Sequence, residues 1–381
     1  LTAHSACDVA QSVFRKSAGS CLVETAPLTD GGEGFCQILT EVGHGSFDEI
    51  EVPGPRGEEL KVRLGFVQAE NVPVRAREVG RLPMSGRLAV IEMAVVAGLH
   101  LLAEQDRDPW ETSTHGVGEV IAHAANQGAD AILMGIGGSA TNDLGLGALQ
   151  SLGLCFIDEK GDSIERMRPS FWGSLARIEG SVRSLPPLRI ACDVENPLTG
   201  PCGATAIYGK QKGFSSDELG LVEQELVRVA QLLTDASGAD QSILNEPGSG
   251  AAGGLGFGLR VSSNASFVPG FSLVSSWLNL PKLIDQSNIV ITGEGRFDFS
   301  SLHGKGSCSV AKMAADNGKR AVVLAGSVEE GAAAELKRTH PQIMVRAISR
   351  SELSLTENLR ETSQSLSKVL QELIETEHWL S

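Results

Sequence analysis

The stretch AILMGIGGSATNDLG, residues 131–145, sets the terms on which this chain is read. Its apolar run, Ala131–Met134, has the length of a buried strand and breaks at once into Gly135, Gly137 and Gly138. Hydroxyl, amide and carboxylate side chains follow: Ser139, Thr141, Asn142 and Asp143. The spacing Gly135-x-Gly137-x-x-Ala140 satisfies the dinucleotide fingerprint, with Asp158 near the distance of its ribose-binding acid. One reading is therefore an NAD-dependent oxidoreductase using the Gly135–Ala140 loop. Against it, Thr141, Asn142 and Asp143 fall where a dinucleotide helix would pack on its sheet, and the motif lies deep in the chain. The polar run fits a wall that holds an anion.

The rest of the sequence suits an α/β protein. It has 381 residues, 41% hydrophobic and only 4% aromatic, with 44 glycines for tight strand-to-helix turns. A formal net charge of −15 excludes a nucleic-acid surface, because phosphates demand a basic face. No apolar run approaches the ~20 residues needed to cross a bilayer, and the N-terminal stretch lacks signal-peptide design. Seven scattered cysteines, without Cys-x-x-Cys or zinc spacing, read as reduced thiols of a cytoplasmic protein. Small-molecule substrates are the expected partners, with no nucleic acid or membrane, and the chain is expected as a monomer or homodimer.

Periodicity predicts helices over 2–16, 218–236, near 306–317 and over 355–376. Strands are expected at Cys21–Thr25, in a hairpin around Pro53–Pro55, in RLAVIEMA (87–94), at Ala131–Met134 and at Arg189–Cys192. NIVITGEGRFD and RAVVLAGS read as buried parallel strands flanking a helix. Helices and strands alternate at both chain ends, the rhythm of a parallel sheet, whereas the middle contains hairpins.

Four polar turns stand directly after apolar strands: Thr29–Gly34, Gly135–Asp143, Asp193–Leu198 and Thr292–Asp298. Open α/β sheets bind ligands at the carboxyl ends of their strands. Any one such turn can be turn chemistry alone, since Asp, Asn and Gly favour turns; four in one chain are harder to explain that way. Pro247–Leu259 adds six glycines between 248 and 258, which could wrap an anion with backbone N–H groups or allow close helix packing. Lys210–Gly213 and His303–Ser307 contribute lysines, and the latter lacks the glycine of a Walker A motif because Phe299 stands there. No G-x-S-x-G elbow is present, and His115 in TSTHGVGE reads as a turn or ligand contact. A phosphotransferase uses all of these parts: glycine-wrapped phosphates, acids for Mg²⁺ and for a hydroxyl proton, and cations for developing charge.

In series, TDGGEG, TSTHGVGE, GIGGSATND, ACDVENPL, KQKG, GSGAAGGLG and TGEGRFD…HGK strongly resemble the bacterial type I glycerate kinase family, from about residue 2 to 330. The family pattern opens with a strand and an Asp-Ser-x-Lys turn ahead of the helix that begins here at Thr2, and this chain starts after that point. Other departures are Leu144 for glycine, Lys210 for proline, Ser300 for glutamine and Gly306-Ser307 near a usual proline. The resemblance implies ATP-dependent phosphorylation of D-glycerate, leaning towards 2-phosphoglycerate. It also implies two α/β domains with the active site in the cleft between them, a discontinuous Rossmann-like domain (1–48 plus 285–381) and a mixed one (49–284). A domain-closing motion would keep water from the phosphoryl group.

Within that reading, Asp193 is the first choice for the general base, with Asn142, Lys212 and Lys305 as the other catalytic candidates. Substrate or phosphate would be held by Asp30, Gly31, Gly32, Glu33, Gly137, Gly138, Ser139, Thr141, Gly250, Gly253, Gly254 and Arg296. Glu294 and Asp298 are the metal candidates, with Asp30 and Glu33 able to share that role; ATP and Mg²⁺ are the implied cofactors. A non-catalytic sugar-acid-binding relative is the remaining alternative.

Overall fold

The alternating residues around Pro53–Pro55 form an antiparallel hairpin, β1 (Ser46–Pro53) with β2 (Glu59–Gln68), in register from Ser46↔Phe66 to Pro53↔Glu59. The computed structural model describes residues 1–18, 21–303, 306–350 and 352–376. The hairpin is one edge of a sheet that continues through β3 (Arg87–Glu92) and β4 (Ala131–Gly135). A separate pair, β5 (Leu154–Asp158) and β6 (Leu175–Gly180), comes next in the chain. The main sheet is then completed by β7 (Leu188–Ala191) and β8 (Ala265–Val268), in the order β1-β2-β3-β4-β7-β8. From β3 onward all neighbours are parallel. This is a mixed α/β fold with a parallel-rich sheet.

The chain divides into two compact units, Asp30–Leu273 and Leu1–Thr29 with Val274–Ser381. In the first, helix Phe35–Val42 lies against β2 and β3. Helix Leu219–Ser237 buries Val222, Leu226, Val229 and Leu233, the stripe that a 3.6-residue period predicts. Leu226 is 0% exposed within the main core. Leu226→Ala is therefore expected to cost about 2–5 kcal/mol, read as a lower urea midpoint with an unchanged slope.

The second unit is a parallel three-stranded sheet, β11-β10-β9, from β9 (Ile289–Phe297), β10 (Arg320–Val328) and β11 (Ile343–Ala347). Val322 and Leu324 pack with Val13 of helix Ala3–Ser17 and with Leu366, Leu370 and Leu373 of helix Leu355–Thr376. Residues 21–25 do not form the expected strand, and no strand precedes Ser46 among the described residues. Leu22 is 90% exposed there and only Cys21 and Val23 are partly buried; β propensity works through packing beside neighbouring strands, and this segment pairs with none. No described helix is long and apolar enough to cross a membrane.

Candidate active site

Parallel pairing sets Glu92, Gly135, Ala191 and Val268 side by side at the carboxyl ends of β3, β4, β7 and β8. The loops leaving this row therefore rise from one edge of the sheet, the place where open α/β sheets bind ligands. The Thr29–Gly34 turn closes on it: Gly137 N–H donates to Gly31 O at 2.9 Å. A Cβ at Gly137 would stand 2.8 Å from Gly32 Cα, so the close approach of the two turns requires glycine at 137.

The polar run after β4 is largely buried, with Thr141, Asn142 and Asp143 each 0% exposed and Ser139 at 7%. Asp143 is its organiser. Its carboxylate accepts from Thr114 N and Thr114 Oγ1, both at 2.8 Å, and from Gly145 N and Gly147 N at 3.1 and 3.3 Å. Thr114 and Gly145 immediately precede helices His115–Asn126 and Leu146–Ser151, so one carboxylate satisfies first-turn N–H groups at two helix starts. Burial nevertheless pushes its carboxyl upward.

Lys212, the last residue of helix Ala204–Lys212, is 2% exposed and reaches back to this wall. Its Nζ donates to Ser139 Oγ at 2.9 Å and to Thr141 O at 2.6 Å. Burial lowers its pKa to about 7, although the charge of Asp143 works in the opposite direction. Asn142 Nδ2 donates to Thr205 Oγ1 at 3.4 Å. Within this polar run two buried atoms, Asn142 Oδ1 and Thr141 Oγ1, have no partner among the described residues. Unpaired buried polar atoms are costly in a folded chain, and a ligand would satisfy them.

Asp193 lies two residues beyond the end of β7, and its Oδ2 accepts from Phe271 N–H at 2.6 Å, with the Gly270 backbone also favouring the ionised carboxylate. The side chain remains accessible, but the protein around it and the negative charge of Asp30 hold its carboxyl above the usual range. The 248–254 loop closes the group. Gly253, at φ +65°, faces Thr141 and Asn142 so closely that a Cβ would come 2.2 Å from Thr141 O. Gly250 donates its N–H to Asn196 O at 3.0 Å, in the loop after Asp193. These glycines serve close packing of the loop against the polar wall.

The sequence profile of the Glycerate kinase family matches residues 1–377. Glycerate kinase of Bacillus subtilis (strain 168) is 36% identical over 333 residues, 86% of this chain and 82% of that one. Glycerate 2-kinase of Escherichia coli (strain K12) is 36% identical over 337 residues, covering 86% and 82%. A crystal structure of a protein assigned as glycerate kinase 2 from Salmonella typhimurium LT2 superposes with a TM-score of 0.73 at 31% identity, covering 99% of this chain and 94% of that one. The chain belongs to the glycerate kinase family.

In this glycerate kinase fold, the unit Asp30–Leu273 holds Asp30, Gly31, Gly32, Glu33, Gly137, Gly138, Ser139, Thr141, Asn142, Asp193, Lys212, Gly250, Gly253 and Gly254. The other unit holds Glu294, Arg296 and Asp298 on β9 and the turn after it. There Glu294 accepts from Ser301 Oγ at 2.9 Å and from Ser307 Oγ at 2.6 Å, and Asp298 pairs with Arg296 at 3.3 Å. Lys305 lies outside the described residues. Among the described residues no group of three or more His, Cys, Asp or Glu is placed to hold a metal ion. The dinucleotide spelling has no matching geometry, because the first helix after β4 begins at Leu146, beyond the whole polar run.

Sequence reasoning missed Glu92, Thr114 and Thr205 as parts of this neighbourhood. Glu92 had a signal, as the one acid in the otherwise apolar LAVIEMAVVAG. His115 Nε2 faces Glu119 at 3.3 Å, and burial lowers its pKa.

Proposed function

We propose that the chain transfers the γ-phosphoryl group of ATP to the 2-hydroxyl of D-glycerate, giving 2-phosphoglycerate and ADP. The supporting observation is the gathering of an accessible carboxylate (Asp193), a second carboxylate (Asp30), a desolvated ammonium (Lys212) and two unpartnered buried polar atoms at one strand-end edge of a glycerate kinase fold.

Asp193 is the general base. The Phe271 N–H holds one oxygen, Oδ2, which leaves the other to take the hydroxyl proton as the substrate oxygen attacks phosphorus and the bond to ADP breaks. Its raised pKa makes it a stronger base than an ordinary carboxylate. Asn142 Oδ1 accepts a substrate hydroxyl and Thr141 Oγ1 meets the carboxylate, each gaining the partner it lacks. Lys212 balances the charge of the anionic substrate, and a low-dielectric setting strengthens that interaction.

Mg²⁺ takes one or two protein carboxylates together with substrate phosphates. Asp30 fits that role, since its carboxylate acts on Asp193 from within the same unit. Glu294, in the other unit, accepts a serine hydroxyl on each oxygen and keeps further lone pairs for an ion. When bound, the ion would supply positive charge that offsets the negative charge of the phosphates facing the attacking oxygen.

A coupled assay of ADP release with D-glycerate and Mg-ATP, with ³¹P NMR of the product, tests this reading. Absence of ADP release, or a 3-phosphoglycerate product, overturns it. Thermal stabilisation by NAD but not by Mg-ATP would favour the oxidoreductase instead.

A further inference from the structure

We propose that Glu92 is a positioning residue for the phosphoryl-transfer site, fastening the Asp30–Gly34 turn through the first N–H groups of helix Phe35–Val42. Glu92 ends β3 and is 4% exposed. A buried carboxylate is costly unless it is hydrogen-bonded. Its oxygens accept from Gly34 N and Cys36 N, both at 3.2 Å, across 58 and 56 residues of sequence. First-turn N–H groups have no acceptor within their own helix, and the positive end of the helix favours a negative group.

The helix has no side-chain cap of its own. Its N-cap is Gly34 at φ +81°, where a side chain is strained and a Cβ would come 3.1 Å from Ile38. The cap therefore arrives from the sheet. At the other end of the turn, Gly31 O accepts Gly137 N–H from the strand-end row. Asp30 precedes that bond, so the turn beside Asp193 is tied at both ends, once to β3 and once to the loop after β4. Glu92 touches no substrate in this arrangement and acts through the turn.

The catalytic half of the inference rests on the phosphoryl-transfer reading above; the fastening itself does not. Backbone amide exchange of the wild-type protein tests the fastening directly. The Gly34 and Cys36 amides are expected to be protected although they belong to a helix start, and exchange at the rate of open amides overturns the proposal. In Glu92→Gln one acceptor becomes an NH₂ donor, so these two amides should exchange at least about tenfold faster while the last turn of the helix stays protected. Turnover should drop roughly 10- to 100-fold with the KM for ATP held within about twofold. Leu39→Ala, on the same helix but away from the turn, should lower the melting temperature without that loss of kcat in the folded protein. Equal kcat in Glu92→Gln and wild type, or equal kcat losses in Glu92→Gln and Leu39→Ala, refutes the positioning role. Should Glu92→Gln fail to fold, Glu92→Asp, whose shorter arm reaches only one of the two amides, is read in the same way. A wild-type protein that releases no ADP would refute the kinase reading, and the exchange experiment would still judge the fastening.

Discussion

Asp193→Asn is expected to leave the protein folded and able to bind ATP while slowing phosphoryl transfer roughly 10²- to 10⁴-fold, the usual contribution of a positioned base. The substitution is nearly isosteric. An amide oxygen can still accept the Phe271 N–H, so the loop keeps its anchor and loses only its capacity to take a proton. Stability should not fall with activity. The Asp193 carboxyl sits above its unfolded value because of its surroundings and the charge of Asp30. The folded state then holds that proton longer than the unfolded chain, so stability declines as pH rises through this window and the ionised group is a net cost at neutral pH. Removing the charge should leave the melting temperature at pH 7 equal or higher. Steady-state kinetics beside an ATP-dependent thermal shift make the test; a near-wild-type kcat removes Asp193 as the base.

The second large effect concerns Lys212. Its pKa of about 7 lies well below the ordinary lysine value, so the ligand-free enzyme loses the charged form as pH rises past neutrality. Because kcat/KM reports the free enzyme, it should fall roughly tenfold per pH unit above that point, while kcat holds to higher pH because the anionic substrate retains the proton. Stability should move the other way. Between the folded value and the ordinary one the unfolded chain binds more protons, so stability rises with pH across that interval. Lys212→Met should erase both dependences and lower kcat by about 10²- to 10³-fold, as expected for removing one electrostatic contact with the transition state. Rate profiles and urea titrations between pH 6 and about pH 9.5 read out both limbs. A flat wild-type kcat/KM across this range, or a limb that persists in Lys212→Met, would exclude the assignment.

Much of the site's outline could be read along the chain because each of its turns has a local cause. An apolar run that stops in glycine and polar residues marks a strand end whether or not its neighbours are known, and this holds at Gly135 and Asp193. The stripe of helix Leu219–Ser237 and the hairpin at Pro53–Pro55 rest on equally local periodicities. Residues 21–25 show the limit of such reading, since a strand needs a partner that the segment itself cannot supply.

Other features have no local signature. Asp143 looked like one more polar residue of an anion wall, but its carboxylate is occupied by two helix starts, one of them 29 residues away. The glycines at 250 and 253 admitted two explanations, and contact with Pro197 and Thr141 supports close packing. Glu294 reads as a metal candidate in sequence, and only the fold shows that Ser301 and Ser307 donate to its two oxygens.

The sequence alone determined the α/β class and the order of the polar turns, because these follow from periodicity and turn chemistry within short windows, and those turns taken in series resembled the family to which the chain belongs. It also narrowed AILMGIGGSATNDLG, since three polar residues stand where a dinucleotide helix would be apolar. Tertiary structure had to decide which of those polar groups are paired in holding the loop and which are left without a protein partner. Burial, pairing across dozens of residues and the depressed pKa of Lys212 belong to the environment of a side chain, and that environment forms only when distant segments pack together.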